Sequence, residues 1–87
     1  MPRIEKEIII MNSQGLHARP AAVFVQIASK YNSTISVKKD NEIVNGKSIM
    51  GILMLGANHK SKITLIAEGD DALQSMEELE AFLSKNE

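Results

Sequence analysis

The sequence predicts an α+β fold in which helices cover one face of a four-stranded sheet, leaving an open-faced sandwich. Four short segments have the isoleucine-rich composition or the apolar and polar alternation of strands with one buried face. Two longer segments carry apolar stripes at helical spacing that can cover that face. Short turn signals separate the elements, so residues 1–87 are expected to form a single domain with the order β-α-β-β-α-β-α. A ferredoxin-like arrangement shares much of this order, and the pattern alone leaves it open.

The amino-terminal part predicts a strand, a loop and a helix. The run Glu7–Met11 is rich in isoleucine and favours a strand, and the polar residues 12–15 favour a loop. A helix is predicted from Ala18 to about Tyr31, where small and apolar residues recur at helical spacing. Pro20 supports this start, because a first turn has no hydrogen bond that its missing N–H would lose. The predicted core face of this helix consists of Ala21, Ala22, Val25 and Ala28.

A hairpin is predicted in the middle of the chain. Thr34–Lys38 alternates apolar and polar residues, and Asp40–Asn41 favours a turn into a second short strand, Glu42–Val44. Lys38 and Lys39 are expected to cover a sheet edge, because edge lysines discourage pairing with another chain.

The remaining part predicts a short helix, a strand and a longer helix. Ser48 precedes an apolar segment and can cap a short helix that Gly56 ends. Lys62–Ala67 alternates and favours the last strand, and Asp70 or Asp71 can cap the closing helix. The predicted core stripe of that helix consists of Leu73, Met76, Leu79, Phe82 and Leu83.

Composition argues against several classes of function. The net charge of -1 supplies no general attraction to nucleic acid, and an aromatic content of 3% without tryptophan provides no base-stacking platform. The chain has no cysteine, and His59 has no second ligand at metal-binding spacing, so we expect neither a metal nor a cofactor. The apolar run Ile8–Met11 is too short for a signal peptide or a membrane span. We therefore expect a cytoplasmic protein without membrane insertion. A monomer is the expected oligomeric state.

The run Gly-Leu-His-Ala-Arg-Pro at residues 15–20 places a histidine at the start of the first long helix. Gly15 permits a sharp turn, and Pro20 fixes the opening of the helix. Free N–H groups and the positive dipole end at such a start bind phosphate, so a phosphate site is expected beside the nucleophilic imidazole of His17. Arg19 adds a guanidinium suited to phosphate oxygens. A structural cap and a surface charge are the alternative explanation of this run.

A second run begins with the capping residue Ser48. From a purely structural viewpoint, Ser48 caps the short helix while Ile49, Met50 and Leu53 belong to the core. The alternative is an exposed docking surface, for which the adaptable Met50 and the small Gly51 are well suited.

Together the two runs resemble the HPr family of histidine-containing phosphocarriers in the bacterial phosphoenolpyruvate-dependent sugar phosphotransferase system. The resemblance extends from about Glu5 to Leu83, with Ser48 lying 31 residues after His17. It implies an antiparallel four-stranded sheet with three helices on one face. It also implies that His17 accepts phosphate on Nδ1 from phosphorylated enzyme I and donates it to enzyme IIA domains. Arg19 would steady the phosphoryl group, and the turn residues Gly15, Ala18 and Pro20 would support it.

The resemblance further implies regulation at Ser48. In low-GC Gram-positive members the matching serine is phosphorylated with ATP by a dedicated kinase, and the product binds a catabolite-repression regulator. The residues matching Ile49, Met50 and Leu53 form a docking patch. One residue departs from the family pattern: Gln14 stands where serine or threonine is common, which leaves the finer phosphate geometry open.

Three functions are compatible with the sequence. The first is a phosphoryl carrier, which forms a covalent intermediate on His17 without being a stand-alone catalyst. The second is a regulatory adaptor in catabolite repression that acts mainly through phospho-Ser48. The third, a ferredoxin-like nucleic-acid binder, is disfavoured by the charge and the aromatic content.

Overall fold

The computed structural model describes residues 1–85, which form one antiparallel sheet and three helices. The elements are β1 (Arg3–Ile9), α1 (Ala18–Ser29), β2 (Thr34–Lys39), β3 (Glu42–Asn45), α2 (Ile49–Leu55), β4 (Lys62–Glu68) and α3 (Ala72–Ser84). The strand order is β1-β4-β2-β3, and each neighbouring pair is antiparallel. The predicted α+β class and order of elements are confirmed.

One face of the sheet is buried because its strands alternate as predicted. Every second residue of β4, namely Ile63, Leu65 and Ala67, is at most 1% exposed. The register places Val37 of β2 opposite Leu65, which extends the apolar layer across the inner strands. Large side chains from each helix complete the core; among them are Phe24, Ile52, Met76, Leu79 and Leu83. The fold therefore depends on one apolar layer between the sheet and the helices.

The first strand lies earlier in the chain than predicted. The sequence favoured Glu7–Met11, whereas β1 spans Arg3–Ile9. Arg3 lies opposite Glu68 and Ile9 opposite Lys62, so β1 pairs with β4 along its whole length. This backbone pairing includes the polar residues at the start of β1, whose sequence does not favour a strand. Beyond the strand, Ile10 is fully buried.

The expectation that Lys38 and Lys39 cover a sheet edge is wrong. β2 lies between β4 and β3, so the free edges belong to β1 and β3. Lys38 projects from the open face opposite Thr64, and the Lys39 Nζ lies 3.8 Å from a carboxylate oxygen of Asp40. A local pattern does not specify the order of strands, and this explains the error.

Helix α1 ends earlier than predicted and buries a slightly different face. Its last residue is Ser29 rather than Tyr31. The buried positions are Pro20, Ala21, Phe24 and Ala28, while Ala22 and Val25 are half-buried. Phe24 offers far more apolar area than an alanine, so the helix turns that side chain inward.

Helix α3 also corrects the prediction at its start. Leu73 was placed in the core stripe but is 56% exposed, whereas Ala72 and Ser75 are fully buried. Asp71 precedes the helix, yet its side chain makes no capping hydrogen bond.

The Asp71 carboxylate instead holds the loop between α1 and β2. It accepts hydrogen bonds from the backbone N–H groups of Asn32 and Ser33 at 2.8 and 2.9 Å, and another from the Ser33 hydroxyl. These bonds, the Ser33 hydroxyl foremost, lower the pKa of the Asp71 carboxyl below its ordinary value.

We expect Asp71→Asn to lower the melting temperature at neutral pH by more than it does in acid. Because the folded pKa is lowered, the ionised carboxylate stabilises the fold above its unfolded pKa, and this stabilisation disappears as the pH falls through the folded pKa. Thermal melts at about pH 7 and about pH 2 test this. Asp70→Asn, at the exposed neighbouring position, is the control. An equal effect of Asp71→Asn at both pH values would contradict the assignment.

Candidate functional site

His17 occupies the N-cap of α1 with its side chain exposed. Its backbone is extended (φ -112°, ψ 158°), and its ring makes no capping hydrogen bond. The Ala21 N–H donates to the His17 carbonyl at 3.3 Å and opens the helical hydrogen-bond series. The N–H groups of Ala18 and Arg19 precede that bond and have no helical acceptor, and Pro20 has no N–H at all. The predicted combination of an imidazole with free donors at a helix start is therefore present.

The loop before α1 is a tight turn that only glycine fits. The Gly15 N–H donates to the Asn12 carbonyl at 3.0 Å, and the Gln14 N–H donates to the Asn12 side-chain oxygen at 2.8 Å. Gly15 has a φ of +67°, and a Cβ there would lie 2.7 Å from the Ala57 carbonyl oxygen. Immediately after it, the Leu16 N–H donates to that same carbonyl at 2.8 Å. The turn is thus fixed against the loop that follows α2.

The residue after His17 has an unusual backbone conformation. Ala18 has a φ of 38°, in the left-handed region that costs a residue with a Cβ roughly 1–2 kcal/mol. Buried neighbours hold the chain on both sides, since Leu16 is 1% exposed and Ala21 is fully buried. The packing of the core thereby maintains a strained residue next to the histidine.

Asn58, in the loop after α2, supplies a contact that the sequence analysis missed. Its side-chain Oδ1 lies 2.8 Å from His17 Nε2. The backbone of Asn58 is held separately, because its N–H donates to Ser61 Oγ at 2.9 Å and its carbonyl accepts from the Ser61 N–H at 3.0 Å. No sequence pattern marks this residue, since it lies 41 positions from His17 in a polar loop.

Arg19 and Gln14 lie beside the start of α1 and line one shallow cleft. Arg19 is exposed. Gln14 places a carboxamide in the same cleft, with two N–H donors where a hydroxyl would offer one. The other residues lining this cleft are Asn12, Ser13, Pro20, Val23 and Phe82.

Ser48 caps α2 as predicted. Its half-buried Oγ accepts a hydrogen bond from the Gly51 N–H at 3.0 Å. Two further bonds organise the preceding turn: the Ser48 N–H donates to the Asn45 carbonyl at 3.1 Å, and the Lys47 N–H donates to the Asn45 Oδ1 at 2.9 Å. Gly56 ends the helix in the left-handed conformation, with a φ of 64°.

Helix α2 exposes an apolar surface, here called the α2 apolar surface. Its members and their exposed fractions are Ile49 (47%), Met50 (67%), Leu53 (39%) and Met54 (72%). The first three were predicted either as core or as a docking surface, and their exposure excludes the core alternative. Ile52 and Leu55 face the core instead. Met54 was not predicted.

The α2 apolar surface lies between Ser48 at one end of α2 and the loop containing Asn58 at the other, along about 10 Å of helix.

Other features carry no functional assignment. His59 is exposed, and residues 1–85 contain no group of three or more His, Cys, Asp or Glu side chains that could hold a metal ion. Among the helices of that same part of the chain, none has the length and apolarity needed to cross a membrane.

Residues 4–85 match the family model described as the PTS HPr component phosphorylation site. Among curated proteins, the HPr-like protein Crh of Halalkalibacterium halodurans is 48% identical over 82 residues, which covers 94% of this chain and 98% of Crh. Among solved structures, the phosphocarrier protein HPr from Bacillus anthracis superposes with a TM-score of 0.93 at 40% identity, covering 97% of this chain and 100% of that one.

A third relative concerns the oligomeric state. The Bacillus subtilis catabolite repression containing protein Crh is 39% identical, with a TM-score of 0.75 and coverage of 92% of both chains. Its structure is described as a dimer with a swapped domain. Similar chains can therefore assemble as dimers, and a monomeric state remains a prediction here.

We expect Gly15→Ala to destabilise the protein more than Gly56→Ala does. Both positions have a positive φ, which costs an alanine about 1–2 kcal/mol. A Cβ at Gly56 meets nothing within 4 Å, whereas one at Gly15 would be 2.7 Å from a backbone carbonyl. Urea unfolding should show a loss of about 3 kcal/mol for Gly15→Ala, roughly twice that of Gly56→Ala. Equal losses would mean that the two loops are not in close contact.

Proposed function

The chain belongs to the HPr family of phosphocarrier proteins, and from that premise we propose that His17 accepts a phosphoryl group from phosphorylated enzyme I and donates it to enzyme IIA domains. The observation that carries this proposal is the exposed imidazole at the N-terminal end of α1, beside the free N–H groups of Ala18 and Arg19. A phosphoryl group on Nδ1 adds negative charge, which the positive end of a helix favours.

His17 acts as a nucleophile in this proposal. Its Nδ1 lone pair attacks phosphorus, a P–N bond forms, and the bond between phosphorus and the donor breaks with its electron pair. Phosphoryl transfer depends mainly on positioning and on electrostatic stabilisation of the equatorial oxygens. The backbone N–H groups of α1 and the Arg19 guanidinium can supply both, and Gly15 and Pro20 hold the turn that brings them together.

The α2 apolar surface is the proposed docking site for enzyme I and enzyme IIA domains. Its residues are exposed beside the loop that touches His17, so a partner that covers them also reaches the imidazole. Two of its members are methionines, whose flexible side chains adapt to different partners. Such an adaptable surface suits transient docking, because a carrier must leave one partner for the next. We propose that this exchange takes place in the cytoplasm.

Ser48 is the proposed regulatory site, modified by a serine kinase/phosphorylase and recognised afterwards by a catabolite-repression regulator. It lies at the opposite end of α2 from the His17 contact, beside Ile49 and Met50 of the docking surface. A phosphate there changes the charge of the surface without occupying the transfer site.

A regulatory adaptor is the second candidate, favoured by the similarity to Crh proteins, one of which is named for catabolite repression. In that role phospho-Ser48 would carry the signal and His17 would be secondary. Phosphorylation by enzyme I separates the two functions, because a pure adaptor gains no acid-labile phosphate.

We expect His17→Ala to abolish phosphorylation by enzyme I and phosphoenolpyruvate while the melting temperature stays near that of the wild type. The ring is exposed and caps no backbone group, so its loss removes little packing. His59→Ala is the matched control, since it removes the other exposed imidazole of the chain and should leave transfer unchanged. Wild-type labelling of the His17→Ala protein would show that another residue is the acceptor.

Phospho-Ser48 is expected to accept phosphate from enzyme I at least tenfold more slowly, with little change in melting temperature. The added charge of about -1.5 to -2 disfavours a partner that presents carboxylates to the α2 apolar surface. Ser48→Ala provides the control: it loses the 3.0 Å bond from the Gly51 N–H, at a cost of about 1 kcal/mol, but should transfer normally. Acid treatment removes phosphate from His17 but not from Ser48. Unimpaired transfer by the phosphoserine protein would show that Ser48 does not gate phosphoryl transfer by His17.

A further inference from the structure

We infer that Asn58 is a positioning residue for phosphoryl transfer: its side-chain oxygen keeps the imidazole proton on Nε2 of His17 and so presents Nδ1 as the nucleophile. This inference rests on the proposed function and adds to it a residue that acts through the histidine. The inference identifies Nδ1 as the ring nitrogen available for attack on phosphorus and Asn58 as the residue that holds the ring in place.

The evidence begins with the 2.8 Å contact between His17 Nε2 and Asn58 Oδ1. A carboxamide oxygen accepts hydrogen bonds and cannot donate them. The nitrogen facing it must therefore carry the proton, and a neutral imidazole has only one N–H. Nδ1 is left with the lone pair that attack on phosphorus requires.

The placement of Asn58 does not depend on its own side chain. The Asn58 backbone is held by the N–H and hydroxyl of Ser61, and the preceding Ala57 carbonyl accepts from the Leu16 N–H at 2.8 Å. The contact of the Asn58 side chain is with His17, although that side chain is exposed on a loop. The Asn58 side chain is therefore not needed to hold its own loop. An exposed side chain that instead contacts a nucleophile is typical of a functional residue.

The same hydrogen bond responds to the charge that develops during transfer. When Nδ1 forms the P–N bond and the donor leaves with its electron pair, the proton stays on Nε2 and the ring becomes cationic. A donor that gains positive charge makes a stronger hydrogen bond to a neutral oxygen. The Asn58 bond thus stabilises the transition state and the phosphorylated ring more than the free imidazole, which is the requirement for accelerating a reaction.

Two measurements on Asn58 variants in a His59→Ala background test the inference. In that background His17 is the only imidazole, so a long-range ¹H–¹⁵N spectrum reports its two nitrogens alone. At about pH 8, where an ordinary imidazole is neutral, the parent should show the proton on Nε2. Its Nε2–H signal should be slowed in exchange with water. Asn58→Ala should lose that slowed signal, and Asn58→Asp, which retains an acceptor oxygen, should recover it.

The second measurement is the initial rate of phosphorylation by enzyme I and phosphoenolpyruvate. Asn58→Ala should be about tenfold slower, the effect of removing one hydrogen bond to a charged group, with a melting temperature near that of the parent. A merely structural role for Asn58 would change the melting temperature and leave the position of the ring proton unaltered.

The possible outcomes separate the inference from the proposed function. If the parent is not phosphorylated at all, the proposed function fails, whatever the spectra show. If the parent is phosphorylated but Asn58→Ala reacts at the same rate, the positioning role is overturned. A parent spectrum with the proton on Nδ1 overturns it as well, and this result does not depend on how well either variant folds.

Discussion

The candidate site depends on one close contact between two loops, the turn before α1 and the segment after α2. Gly15 lies so close to the Ala57 carbonyl that a Cβ would be 2.7 Å away, and the Leu16 N–H donates to that carbonyl at 2.8 Å. Because of this contact, His17 at the start of one helix lies next to Asn58 beyond the end of another. The α2 apolar surface is brought to the histidine by the same contact.

The His17 side chain is exposed, while the backbone around it is held in place. The proposed transfer requires partners to reach the imidazole of His17, so that ring cannot be buried. His17 is exposed, and the buried residues Leu16 and Ala21 fix the chain on either side of it. That anchoring maintains Ala18 at a φ of 38°, which an isolated peptide would rarely adopt. Packing in the core thus keeps the backbone around His17 ordered while the imidazole stays accessible.

Much of the fold follows from local signals, and the errors occur where tertiary contacts decide. Ser48 and Gly56 bound α2 as predicted, because capping and left-handed termination are local properties. By contrast, the position of Lys38 in the sheet depends on strand order, and the exposure of Leu73 depends on how α3 rotates against the sheet. Neither property is encoded in a short window of sequence.

The same distinction applies to the site. His17, Arg19 and Ser48 were predicted as site residues because glycine, proline and a capping residue mark helix starts. Asn58 was missed because it reaches His17 only through the contact between loops, and a single asparagine in a polar segment has no distinctive pattern. Residues that orient a nucleophile from a distant part of the chain are therefore the part of a site that sequence reasoning is least able to find.

The two proposed phosphate positions are both N-caps, yet their chemistry suits them to opposite tasks. The His17 ring caps no backbone group and is exposed, so a partner can take the phosphoryl group without disturbing α1. Ser48 is half-buried, and its Oγ accepts the Gly51 N–H. A phosphoserine is an ester that survives acid, whereas the P–N bond at histidine does not. The labile P–N bond would thus form at the accessible N-cap, His17, where it can serve for transfer. The acid-stable phosphate ester would form at the half-buried N-cap, Ser48, where it would alter the charge beside the α2 apolar surface for longer than a single transfer.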